Sequence, residues 1–240
     1  MRLRNYTPLQ LAVHAGAWFP ILRLIVEALT DNLTANPIQH IEQRTGRAAL
    51  TLLFLSLAAT PLNSLFGWRE PIQRRRALGL YAFLYATIHV VVFADLDYGL
   101  AWSLIVQTIF EKPYILVGAA AFLLLIPLAL TSFDVWKARL RKNWKRLHSL
   151  VYLIAPLAVL HYAWGKKGTF FALQGDILQP LLYAVILAAL MILRLPALRR
   201  RIASLRGRVR LPFKKRASQQ SAEADLLKFR PAAKKGRHIG

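Results

Sequence analysis

Six apolar stretches recur along the chain, at roughly residues 9–29, 47–66, 77–95, 113–132, 148–164 and 176–194, each bounded by charges or by Pro and Gly. A helix crossing a bilayer needs about 20 mainly apolar residues, and lipid offers its backbone no hydrogen-bond partner, so every group is satisfied within the helix. Stretches of this length and number point to an all-α membrane protein, a bundle of six transmembrane helices. The first stretch carries Arg23 and Glu27. They lie one helical turn apart and near its end, where they can pair or reach the headgroups. Those charges, and the lack of an A-x-A site, argue against a cleaved signal peptide.

Charge collects where apolar residues are absent. The chain of 240 residues is 56% hydrophobic yet carries a formal net charge of +22. Arg2 and Arg4 precede the first stretch; Arg69, Arg74, Arg75 and Arg76 lie between the second and third. Lys137, Arg139, Arg141, Lys142, Lys145 and Arg146 lie between the fourth and fifth. The alternate links are poor in Lys and Arg: the one after the third stretch sets Asp95, Asp97 and Glu111 against Lys112, and Lys166 and Lys167 after the fifth are the mild exception. The bias of Lys and Arg toward the cytoplasm therefore predicts that both termini and the even-numbered links are cytoplasmic. Residues 196–240 read as a basic cytoplasmic tail on anionic lipid, partly disordered. The tail has no nucleic-acid motif, so the lipid bilayer is the expected neighbour and nucleic acid is not.

The chain has no cysteine. That excludes disulfides, iron–sulfur clusters, thiolate metal sites and covalent c-type haem. The GKKGT at 165–169 lacks the spacing of a phosphate loop. No strand–glycine–helix unit is present to hold NAD or FAD, so the chain has no recognisable means of taking hydride from a nicotinamide cofactor by itself.

Histidines inside apolar spans are costly and thus candidates for function. His89 falls late in the third stretch and His161 late in the fifth, while His148 opens the fifth. Odd-numbered spans run parallel, so His89 and His161 share a depth and can face each other. Facing imidazoles suit a six-coordinate haem, which without cysteine would be b-type. His148 lies about 20 Å away along the helix, a separation that suits two stacked redox centres. On an ideal helix His148 and His161 point about 140° apart, unless Pro156 between them distorts it. The competing reading is that each is a hydrogen-bonded structural residue. His14 reads as structural, or as a weak candidate near the inner face, and His40 and His238 as solvated. Trp144, Tyr152, Tyr162 and Trp164 read as interfacial or packing aromatics. Gly79 is the glycine expected to allow close helix or haem approach, and residues 96–112 are expected to lie as an interfacial amphipathic helix.

RRRALGLYAFLYATIH (74–89), NWKRLHSLVYLIAPLAVLHYAW (143–164), NPIQHIEQRTGRAAL (36–50) and KPY (112–114), in this order, resemble the MsrQ/YedZ family. These are haem-binding membrane subunits of the bacterial periplasmic methionine sulfoxide reductase system, within the ferric-reductase-like transmembrane group. The resemblance covers about residues 5–195 and implies a ferric-reductase-like haem-binding domain over 1–195 in the inner membrane. It implies electron transfer from the quinone pool, or from a cytoplasmic flavin reductase, to a periplasmic molybdopterin methionine sulfoxide reductase in a heterodimer that repairs oxidised proteins. It also implies haem b, one with a second open, and flavin mononucleotide. The haem-site histidines would fall on His89, His148 and His161.

In the NADPH oxidase relatives the third helix carries two histidines fourteen residues apart, and Arg75 stands fourteen before His89 here. Fourteen residues return to within about 40° of one face. Arginine stays protonated, so Arg75 is suited to a haem propionate or flavin phosphate rather than to iron. Otherwise it is one of three arginines serving the charge bias. The resemblance thus implies an electron-transfer subunit rather than the catalytic subunit. The alternatives are a ferric reductase or quinone-linked cytochrome b with a different acceptor, or a transporter or scaffold with structural histidines.

Overall fold

The computed structural model describes residues 6–166, 178–195 and 198. Every regular element among them is a helix: α1 Pro8–Leu29, α2 Pro37–Phe66, α3 Glu70–Val92, α4 Trp102–Glu111, α5 Pro113–Leu130, α6 Asp134–Leu140, α7 Lys142–His148, α8 Val151–Gly165 and α9 Leu178–Ile192, with a π turn, Phe93–Asp97, after α3. Contacts divide the chain into Met1–Arg194 and Leu195–Gly240. His238, most of the basic tail and the greater part of GKKGT lie outside the described residues.

Five helices are long and apolar enough to cross a membrane: α1, α2, α3 with its π turn, α5, and Lys142–Gly165 taken through α7 and α8. The chain is a multi-pass membrane protein. The sixth expected span appears as α9, whose 15 described residues rise only about 22 Å against a hydrocarbon core of about 30 Å. The amphipathic helix expected in 96–112 is α4, with Ile105 buried and Trp102, Val106 and Phe110 exposed.

Local chemistry sets the helix ends. The Asn36 side chain accepts from the Gln39 N–H at 3.1 Å and Pro37 follows at the first helical position. Cap and proline start α2 well before the apolar run at residue 47, so its first turns extend past the apolar stretch. Gly67, at φ 70°, ends it in the left-handed conformation. The fifth span is distorted in the turn before Pro156. Tyr152 and Leu153 donate to the carbonyls of Ser149 and Leu150, three residues back, at 3.0 and 2.9 Å. Pro156 supplies no N–H to the Tyr152 carbonyl and crowds it; the tightening falls in the turn before.

The helices α2 and α3 form the most extensive pairing, and α5 with α8 the next. Leu57 of α2, Tyr85 of α3 and Ile154 of α8 are buried between them. Tyr85 also fastens α1. Its hydroxyl donates to the Ala17 carbonyl at 2.6 Å and accepts from the Ile21 N–H at 3.2 Å. Those two groups are the ends of one helical turn of α1, beside the internal Pro20. Tyr85→Phe leaves them without the hydroxyl, at a cost of about 1–3 kcal/mol. The expected outcome is a lower midpoint of thermal unfolding in detergent; an unchanged midpoint would show that the bridge adds nothing.

At the α1–α2 junction Glu27 accepts from Arg23 at 2.8 Å, from Arg44 at 3.1 Å and meets His40 at 3.1 Å. The Arg23–Glu27 pairing is the one expected from their spacing. His40 is not solvated as the sequence suggested: its side chain is only 16% exposed. The link is short, so the first turns of α2 return along the last turns of α1 and bring His40 onto the carboxylate. His14 of α1 meets α3, its Nδ1 2.8 Å from the Tyr81 hydroxyl.

Candidate functional site

His89 of α3 and His161 of α8 face each other, with ring centroids 6.0 Å apart and planes at 75°. Each is held in the same way by a neighbouring helix. His89 Nδ1 lies 3.0 Å from the Glu42 carbonyl of α2, and His161 Nδ1 lies 2.7 Å from the Tyr114 carbonyl of α5. A carbonyl can only accept, so in both rings Nδ1 carries the hydrogen and Nε2 keeps its lone pair. Neither Nε2 makes a hydrogen bond among the described residues. A backbone carbonyl that fixes one ring nitrogen while the other stays basic is the usual support of a metal-ligating histidine.

The carbonyls are reachable because of two glycines. A helical Cβ leans toward the N-terminus, so the side chain at i+4 overhangs the carbonyl at i. Four residues after Glu42 stands Gly46, and four after Tyr114 stands Gly118. A Cβ at Gly46 would approach His89 Cε1 and Nδ1 at 3.4 Å. A Cβ at Gly118 would lie 2.6 Å from His161 Nδ1 and 2.7 Å from Cε1. Neither glycine stands out from composition. The readable signal was a glycine inside each span facing a histidine span, but that needs the pairing of α2 with α3 and of α5 with α8. Gly79, the glycine singled out from the sequence, has only Ser56 Oγ within reach of a Cβ, at an ordinary 3.7 Å.

The pair fits a metal held between two imidazoles. Metal–imidazole bonds of about 2.0–2.1 Å set the nitrogens about 4 Å apart and the ring centres about 6 Å apart when the metal lies between them. The observed separation agrees. No cluster of three or more His, Asp or Glu among the described residues is placed to hold a metal ion, so any ligation here rests on the two histidines.

His148 does not join them. It ends α7, stacks on Trp144 with centroids 4.1 Å apart, and its Nδ1 lies 3.1 Å from the Trp144 carbonyl. The Trp144 indole in turn donates to the Thr131 carbonyl at 2.9 Å, which ties α7 to the end of α5. Arg75 is within electrostatic range of His148. Its backbone carbonyl accepts from Ser56 Oγ at 3.1 Å. The four sequence candidates thus separate into a facing pair, His89 with His161, and a second locality, His148 with Arg75.

Residues 45–159 match the family described as ferric reductase like transmembrane component. A relative from Xanthomonas axonopodis pv. citri (strain 306), "Protein-methionine-sulfoxide reductase heme-binding subunit MsrQ", is 48% identical over 185 residues, covering 75% of this chain and 82% of its own. A protein of the same name from Herminiimonas arsenicoxydans is 42% identical over 180 residues, covering 75% of this chain and 80% of its own. The matched family region contains His89, His148 and Arg75 and stops two residues before His161.

Proposed function

This chain belongs to the MsrQ/YedZ family, and on that premise we propose that it is the haem b electron-transfer subunit of a periplasmic methionine sulfoxide reductase. The observation that carries the reading is the pair of imidazoles, each fixed through Nδ1 to a carbonyl, facing across 6.0 Å. His89 and His161 would hold the haem iron through their Nε2 atoms. Bound there, a b-type haem supplies a one-electron carrier inside a water-excluding helix bundle. The carbonyls of Glu42 and Tyr114 keep the two rings in the ligating tautomer, and Gly46 and Gly118 leave them room.

His148 and Arg75 make the second, cytoplasm-side locality. Arg75 is the counter-charge for a haem propionate or for the phosphate of flavin mononucleotide, and His148 the ligand if a second haem is bound. Electrons enter from the quinone pool or a cytoplasmic flavin reductase and leave to a molybdopterin subunit, with which the chain forms a heterodimer. Residues 1–195 form the haem domain, and 196–240 a basic tail on the cytoplasmic leaflet. Both termini are cytoplasmic and the bundle sits in the bacterial inner membrane, in line with the distribution of Lys and Arg.

The test is reoxidation. The purified chain, reduced by a quinol in vesicles, is followed in the visible spectrum while partners are added. Reoxidation that requires both the molybdopterin subunit and methionine sulfoxide is the expected result. Reoxidation by ferric chelates alone, with no response to the reductase subunit, would replace this reading with a ferric reductase.

A further inference from the structure

A cleft of about 740 Å³ lies between α1, α2 and the start of α3, within the range of about 300–1,000 Å³ typical of ligand sites. It exists because α1 packs incompletely: only Ala17 and Leu24 of its 22 residues are buried. Small residues floor it, Ala12 and Gly16 on α1 and Ala48 and Ala58 on α2. Both Leu9 and Arg23 line it, so it runs about 21 Å along α1. One leaflet contributes about 15 Å of the hydrocarbon core, so a single acyl chain fits the length.

Its ends differ in charge. Arg23, Arg44 and Arg47 line one end; Trp68 and Arg74 line the other. Against the three arginines stands one carboxylate, Glu27, which takes Arg23 and Arg44. Arg44 Nε is buried without a hydrogen-bond partner among the described residues. Arg47 donates from Nε to the Gln43 carbonyl of its own helix and is half-buried. Two guanidinium charges are therefore uncompensated beside an apolar slot. Arg44 and Arg47 bracket the start of the apolar run of α2, the level of the headgroups.

We propose that this cleft binds one anionic phospholipid, with an acyl chain along Ala12, Gly16 and Ala48 and its phosphate on Arg23, Arg44 and Arg47. Guanidinium groups match phosphate oxygens in geometry and charge. A neutral amphiphile such as a quinone leaves both charges unmatched. A second copy of the chain brings 33 basic against 11 acidic residues and repels. The bound lipid completes the packing that α1 lacks.

The experiment counts lipids on the full chain by native mass spectrometry, after purification from bilayers of equal phosphatidylglycerol and phosphatidylcholine. The wild type retains one phosphatidylglycerol, preferred by about 30-fold, as two arginines at about 1 kcal/mol each give. Arg44→Gln/Arg47→Gln brings the two lipids to near equality. Arg47→Gln alone, whose side chain bonds only to its own helix, weakens the preference in the same direction without touching the Glu27 cluster. Gly16→Leu, placed where a Cβ meets nothing within 4 Å, reduces retention of both lipids. Arg74→Gln leaves the preference intact. Equal retention of both lipids by the wild type, a preference lost with Arg74 but not with Arg44 and Arg47, or a retained quinone in place of phospholipid would each overturn the proposal.

Discussion

Alanine at both His89 and His161 is expected to abolish the reduced-minus-oxidised b-type signal of the haem between them, while His148→Ala keeps it. The two rings face each other across 6.0 Å, and each is held by its own helix pair through a backbone carbonyl. Removing both would take away the two proposed iron ligands while keeping helix-forming residues in α3 and α8. Alanine is a good helix former, so the bundle persists and the loss reads as loss of cofactor. His148 is engaged elsewhere, stacked on Trp144 and bonded to its carbonyl. Its substitution removes a second spectral component if a second haem is bound there and leaves the first. The measurement is haem per folded chain, from the visible spectrum and a monodisperse elution profile. Full haem occupancy in the double variant would remove these two residues as ligands.

The depth match of His89 and His161 was legible because a membrane makes it so. Spans of known length and alternating direction convert residue number into depth, and two histidines late on odd-numbered spans then meet. What sequence alone did not give was the support. The carbonyls of Glu42 and Tyr114 lie on α2 and α5, each 47 residues from the ring it holds. Periodicity describes one helix at a time and carries no information on which helices touch. The same limit explains His40, which reads as solvated from its polar link and is instead folded back onto Glu27. It also explains the distortion in the fifth span. Pro156 was visible, but whether a helix accommodates a proline at that residue or in the turn before depends on what packs there, and Trp144 fixes α7 to the end of α5.

Gly118→Ala is expected to lower haem occupancy and electron delivery by about 10–100-fold, the usual cost of disturbing what orients a metal ligand, while Gly46→Ala has a much smaller effect. The two glycines serve the same purpose with different clearance. At Gly46 the added methyl meets the His89 ring at 3.4 Å, and a shift of a few tenths of an ångström relieves it. At Gly118 it lies 2.6 Å from His161 Nδ1, where no carbon can remain. The ring has little freedom to retreat. It is bonded to the Tyr114 carbonyl at 2.7 Å, stacked on the Tyr114 ring at 6.1 Å, and faced by His89 at 6.0 Å. Moving it breaks the bond that sets its tautomer and turns Nε2 away from its partner. The helix preference of α5 should move the other way, which separates this explanation from unfolding of the helix. Glycine in a helix interior costs about 1 kcal/mol relative to alanine, so α5 itself gains from the substitution. Haem content and helical content are measured on the same sample: haem falls while helicity holds or rises. Equal haem content in Gly118→Ala and wild type would mean that His161 does not need the position in which the Tyr114 carbonyl holds it.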